Sequence, residues 1–154
     1  EDGVVGEARI AAVRHLERVA RTIADRPGPT CIVSTGETTV TVTGKGKGGR
    51  NQEFALAAVQ ALASAPGLGM AGNRSSSLFM LASVGTDGVD GPTDAAGATI
   101  DLTTLDRARA LGLPAPQRFL DDNNAYAFFA ALGDLVHSGP TGTNVGDLQV
   151  ILVA

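Results

Sequence analysis

The chain holds one cysteine, Cys31, together with no tryptophan, one tyrosine and two histidines among 154 residues. A single thiol excludes an internal disulfide, and zinc centres built on Cys and His lack their ligands. A reducing, cytoplasmic setting is compatible with that count. Cys31 lies in the apolar run TCIVS, where a buried, inert thiol is expected. Basic charge is also short: 12 Lys and Arg against 16 Asp and Glu leave a net charge of −4. A general nucleic-acid binder needs the opposite balance to displace counterions, so none is expected. No apolar run approaches the ~20 residues that cross a bilayer, and no signal peptide is visible, so no membrane partner is expected either. His15 falls among Arg and Glu and reads as solvated. His137 closes a short run beside Ser138 and reads as a packed or edge residue. With no G-x-S-x-G turn, a nucleophilic triad has no support.

What the chain does have is glycine, 20 residues of it, within a composition that is 44% apolar. That composition belongs to globular material, and the length suits one domain spanning residues 1–154. The opening EDGVVGEAR lacks a start methionine and leads at once into helical spacing, as expected of a piece of a longer chain. Ile10, Val13, Leu16, Ala20 and Ile23 predict an amphipathic helix over 5–25, ended by RPGP. TCIVS (30–34) and TTVTVTG (38–44) read as strands, and only TGE separates them, which predicts a hairpin. Phe54, Ala55, Ala58, Val59 and Leu62 define a helical face over 51–65, followed by the polar loop PGLGMAGNRSSS. LFMLASVG (78–85) is apolar without alternation, as expected of a strand covered on both faces. AAGATID is a strand or extended segment, LTTLDRARALG and NNAYAFFAAL are helices, and DLVH and LQVILV are the last strands. The expected class is α/β: a three-layer α/β/α sandwich with a central mixed sheet.

Three loops carry candidate chemistry. GKGKGGRNQE (44–53) places Gly44, Gly46 and Gly49 in G-x-G-x-x-G spacing, but no acidic residue follows about twenty positions on to hold a ribose. Read as a P-loop it also fails, since Arg50 and Asn51 replace the required Lys and Ser/Thr. The underlying physics remains: glycines admit an anion to the backbone, and the following helix points N–H groups at it. Arg50 adds a planar fork of charged donors. A flexible basic loop is the competing reading. SVGTDGVDGPTDAAGA (83–98) crowds Asp87, Asp90 and Asp94 among Gly88, Gly91 and Pro92. Oxygen ligands on such a loop suit Mg²⁺, and Asx-turns on a surface loop are the alternative. The spacing is not that of an EF-hand. SGPTGTNVGD (138–147) offers hydroxyls and N–H groups. Glu37, in STGETT, reads as a solvated charge at a hairpin tip.

Taken in order, STGETTVTVTGKGKGGRNQEFALA, SVGTDGVDGPTDAAGA, NNAYAFFAALGDL and GPTGTNVGDLQVILV resemble the C-terminal MOFRL domain of the class II glycerate 2-kinases. The resemblance runs from Cys31 to the end. One departure is Thr35, where that family usually has glycine. The resemblance implies transfer of the γ-phosphoryl group of ATP to the 2-hydroxyl of D-glycerate, with Mg²⁺. It also implies a larger N-terminal Rossmann-like domain as partner, with the active site between the two, and leaves a homodimer open. On that reading Arg50 clamps the glycerate carboxylate or a phosphate, and Lys45 and Lys47 neutralise phosphate charge. Gly48, Gly49, Asn51, Glu53, Thr141, Thr143 and Asn144 complete the substrate and phosphate contacts. Asp87, Asp90 and Asp94 hold the metal, with Asp87 and Asp90 also candidates to take the hydroxyl proton. The competing functions are a non-catalytic anion-binding or assembly domain, and a hydroxypyruvate reductase. The failed dinucleotide fingerprint gives the latter no support.

Overall fold

The computed structural model describes residues 3–25, 28–64 and 78–154. The chain begins with a short strand, β1 (Val4–Glu7), and only then enters helix α1 (Ala8–Asp25). Helical spacing alone hid the strand, because Val4 and Val5 also suit a helix start. A single ten-residue strand, β2 (Thr30–Thr39), replaces the expected hairpin. Gly36 lies inside it, paired with Val4 on one side and Asp147 on the other. A turn there would forfeit both ladders, and the glycine is needed because a Cβ would collide with the Val4 backbone. Residues 40–49 run on without regular structure into helix α2 (Arg50–Ser64). The loop PGLGMAGNRSSS lies outside the described residues.

Strands β3 (Phe79–Gly85) and β4 (Gly97–Asp101) follow. Three short helices come next: α3 (Thr104–Ala110), α4 (Pro116–Asp121) and α5 (Ala125–Leu132). Helix α4 opens on Pro116 within its first turn, a position where the missing N–H costs nothing. Helix α5 stops at Gly133, whose φ of 73° closes the helix in the left-handed conformation. Strands β5 (Leu135–Val136) and β6 (Asp147–Val153) complete the chain.

The described residues form a six-stranded sheet of order β1-β2-β6-β3-β4-β5. Only β1 and β2 are parallel; the other pairs are antiparallel, so the sheet is mixed as expected. Ile32, Ile151, Leu81 and Ile100 stand in one cross-strand row. They join one core with Leu16, Val19, Phe54, Leu62, Phe128 and Phe129 from the helices. Helices packed on this mixed sheet give the expected α/β class. β3 alternates buried and open positions, with Phe79 and Leu81 inward and Met80 42% exposed. Its alternation was invisible in the sequence because both rows are apolar. Cys31 is exposed on the open face and not buried, for it alternates with Ile32. No helix of the described residues is long and apolar enough to cross a membrane.

Candidate anion-binding site

All three candidate loops meet at one end of the sheet. Thr141 N donates to Asp87 O at 3.1 Å, and Thr86 N donates to Gly146 O at 3.0 Å. Val145 N donates to Thr86 Oγ1 at 2.9 Å. These bonds join the loop after β3 to the loop before β6. The first of these also reaches the start of α2, where Asn51 N and Gln52 N donate to the Asp90 carboxylate at 3.0 and 2.8 Å. At the first residue of β6, Asp147 closes the circuit. Arg50 Nε donates to both of its oxygens, at 2.9 and 2.8 Å.

Asp90 answers the question that the glycine run poses. A helix start attracts negative charge because its first N–H groups lack partners. Here the chain supplies that charge itself: Asp90 is buried and takes the N–H groups an external anion would need. Gly49 lies so close that a Cβ would collide with the carboxylate. Burial pushes the Asp90 carboxyl above its ordinary range, Asp147 adds to that push, and the Asn51 and Gln52 donors oppose it. Further back, the amides of 43–47 are also taken from within. Asn123 Oδ1 accepts from Thr43 N and Gly44 N, each at 2.8 Å. Asp122 Oδ1 accepts from Lys45 N at 3.0 Å, Asp122 O from Gly46 N at 2.8 Å, and Asn124 Oδ1 from Lys47 N at 3.2 Å. A Cβ at Gly46 would strike Asn124. The glycines admit residues 122–124, not a ligand. Among the described residues, Gly48, Gly49 and Arg50 keep the run's unbonded amides.

The side chains divide into four groups. Arg50, Asn51 and Asp90 come together with Asp147. Asn51 Nδ2 donates to Asp147 Oδ1 at 2.9 Å, and its Oδ1 accepts from Ser83 Oγ at 2.7 Å, so this buried amide is a brace and not a ligand contact. Glu53 is buried elsewhere. It accepts from Arg9 Nε at 2.6 Å and from Asn123 Nδ2 at 3.0 Å, latching α1 and the 122–124 turn to α2. That leaves it no free oxygen for substrate. Lys45 and Lys47 are exposed and enter no ion pair among the described residues. In the last loop, Thr141 Oγ1 donates to Thr86 O at 2.5 Å, Thr143 N donates to Thr141 Oγ1 at 3.4 Å, and Asn144 Oδ1 accepts from Gly146 N at 3.1 Å. These groups hold the loop in shape while its outer surface stays exposed.

The three aspartates do not assemble into a metal site, and the expected set is corrected on that point. Among the described residues no three His, Cys, Asp or Glu side chains are grouped to hold a metal ion. Asp90 faces inward with both oxygens bonded. Asp94 is exposed and accepts from Tyr126 OH at 2.8 Å, which holds its carboxyl below the ordinary range. His137 Nδ1 lies 3.2 Å from Asp94 O, an edge position as expected. Asp87 is half-buried, with Oδ1 accepting from Val89 N at 3.1 Å, as in an Asx-turn, and Oδ2 open.

Sequence reasoning missed Asp147 and Asn123. The signal for Asp147 was present: counting back by twos from Ile151 places Gln149 and Asp147 on the buried face of β6. His15, expected to be solvated, is buried. It is 3% exposed, packs its ring 6.1 Å from that of Phe54, and burial with Arg18 nearby lowers its pKa to about 4. A cavity of about 750 Å³, lined by Val13, Leu16, Ala20, Ala57 and Leu120, lies between α1, α2 and α4, away from the three loops.

Residues 30–147 match the model of the MOFRL family. Over 131 residues the chain is 44% identical to the D-glycerate 2-kinase of Thermotoga maritima, covering 84% of this chain and 28% of that one. It is 37% identical over 153 residues to the glycerate 2-kinase of Pyrococcus horikoshii, covering 96% and 32%. The crystal structure of glycerate kinase from Thermotoga maritima aligns with a TM-score of 0.82 at 39% identity, over 99% of this chain and 34% of that one. The chain thus spans about a third of the length of the relatives it matches.

Proposed function

The chain belongs to the MOFRL family, and from that premise we propose that it is the C-terminal domain of a cytoplasmic D-glycerate 2-kinase. The whole protein transfers the γ-phosphoryl group of ATP to the 2-hydroxyl of D-glycerate. A larger Rossmann-like domain completes the cleft, a reading supported by relatives about three times as long. Phosphoryl transfer asks a protein mainly to position groups and neutralise charge. Within this chain the observation that carries the reading is Arg50, held at the meeting point of the three loops with its Nε on Asp147. Among the described residues its terminal nitrogens make no hydrogen bond, and a carboxylate oxygen of Glu37 lies 3.8 Å from Nη2. That outer edge matches the geometry of a carboxylate or phosphate. Asp147 holds the guanidinium charged, its pKa above the ordinary arginine value.

Lys45 and Lys47, exposed on the same run, supply positive charge, and the amides of Gly48 and Gly49 add donors. Thr141, Thr143 and Asn144, on the exposed loop before β6, add hydroxyl and amide donors. Asp87, with one oxygen open, takes the proton of the 2-hydroxyl. Mg²⁺ would neutralise charge on the nucleotide's phosphates, but the aspartates of this chain do not fit it as a set, so none of these roles runs through the metal. The test is the full-length protein with ATP and D-glycerate, its product followed by ³¹P NMR. Formation of 2-phosphoglycerate supports the reading. No phosphorylated product, or oxidation of NADH with hydroxypyruvate, overturns it.

A further inference from the structure

Asp147 is the most completely held carboxyl side chain near the proposed site. It opens β6, paired with Gly36 of β2 and Gly85 of β3, so backbone ladders flank it on both sides. Its side chain is fully buried. Oδ2 accepts from Thr38 N at 3.2 Å and Oδ1 from Asn51 Nδ2 at 2.9 Å. Asn51 is itself fixed by Ser83, on β3, and by Asp90. Against this rigid carboxylate Arg50 commits Nε alone. Its side chain is 29% exposed, with Glu37 beside Nη2.

An arginine carries large rotamer freedom, and binding an anion ordinarily costs that freedom. Pinning Nε beforehand removes most of this cost and fixes the direction in which Nη1 and Nη2 point. We propose that Asp147 is a positioning residue for anion recognition: it sets Arg50 so that the terminal nitrogens form a preorganised fork for a carboxylate or phosphate of the substrate. Asp147 touches no substrate, being buried; it acts through Arg50. The inference rests on the kinase reading for its reaction, while its geometry can be tested without turnover.

The experiment uses the full-length protein labelled with ¹⁵N-arginine. In the wild type, the Arg50 Nε–H signal should exchange slowly with solvent. Inorganic phosphate and D-glycerate are then titrated separately, which tells a phosphate subsite from a carboxylate subsite. A shift of the Arg50 terminal signals with either anion, at unmoved Nε–H, supports the proposal. Fast exchange at Nε, or no shift with either anion, overturns it, whether or not the protein turns over glycerate. Kinetics give the second arm. Arg50→Ala should lose activity on the order of 10³-fold, and added guanidinium should restore about tenfold of it. In Arg50→Ala/Asp147→Asn the same addition should restore less than about twofold, and the double variant should be no slower than Arg50→Ala alone. Equal rescue in both, or losses that multiply, would show that Asp147 only supports the fold. Asp147→Glu, which keeps the charge but moves it, replaces Asp147→Asn if that variant does not fold.

Discussion

The two halves of the glycine run solve one electrostatic problem in different surroundings. In residues 43–47 the backbone amides are satisfied by Asp122, Asn123 and Asn124, with Lys45 and Lys47 exposed above them. At the start of α2 the donors are satisfied by Asp90, and Arg50 by Asp147, both carboxylates buried. In both halves the chain has filled its own anion positions. The exposed half keeps two ammonium groups free at little structural cost, whereas the buried half offers one outward edge, that of Arg50. A glycine-rich basic loop before a helix is therefore no evidence of a phosphate cradle. What matters is which donors the fold leaves unused.

The largest effect that sharpens this contrast is on stability. Asp90→Ala strips two α2 N–H groups of their acceptor in a buried place and should cost about 3 kcal/mol in urea unfolding. Added Mg²⁺ should not recover it, because Asp90 serves the helix. A loss below about 1 kcal/mol, or recovery with Mg²⁺, would break the contrast by returning Asp90 to the role of ligand.

Acid should also act on the buried contact between α1 and α2, where His15 packs on Phe54. The His15 pKa is lowered to about 4 from 6.5, so the folded chain resists a proton that the unfolded chain accepts. Its contribution is complete above pH 6.5 and is lost as pH falls towards about 4. The slope in that window is at most about 1.4 kcal/mol per pH unit. His15→Gln should flatten this part of the profile; an unchanged slope would place the titration elsewhere. The smallest effect belongs to the exposed half. Lys45→Gln with Lys47→Gln should change unfolding free energy by no more than about 0.5 kcal/mol, while weakening ATP-dependent turnover in the full-length protein.

Much of the architecture was legible where one physical signal dominated. The helical face of Phe54, Ala58 and Leu62 follows from periodicity, whereas the mixed sheet was expected from a hairpin whose place the single strand β2 takes. Other parts depended on partners distant in the chain. Thr35-Gly36 looks like a turn until β1 and β6 pair with it from either side. LFMLASVG hides its exposed row because Met80, Ala82 and Val84 are as apolar as their buried neighbours. The site divides in the same way. Arg50 was legible as a charged fork at a helix start, whereas its anchor lies 97 residues away. Local sequence also could not tell that Asp90 faces inward while Asp94 faces solvent, since that choice is made by the α2 terminus.

Arg50→Lys in the full-length protein tests the central claim, that the planar outer edge of Arg50 recognises the anion. Lysine keeps the charge but cannot reach Asp147 and present a fork together. In that variant kcat/KM for D-glycerate phosphorylation should fall by about 10²-fold or more, with the protein still folded by thermal melt. Wild-type kcat/KM in the folded Arg50→Lys protein would contradict it, because charge alone would then suffice.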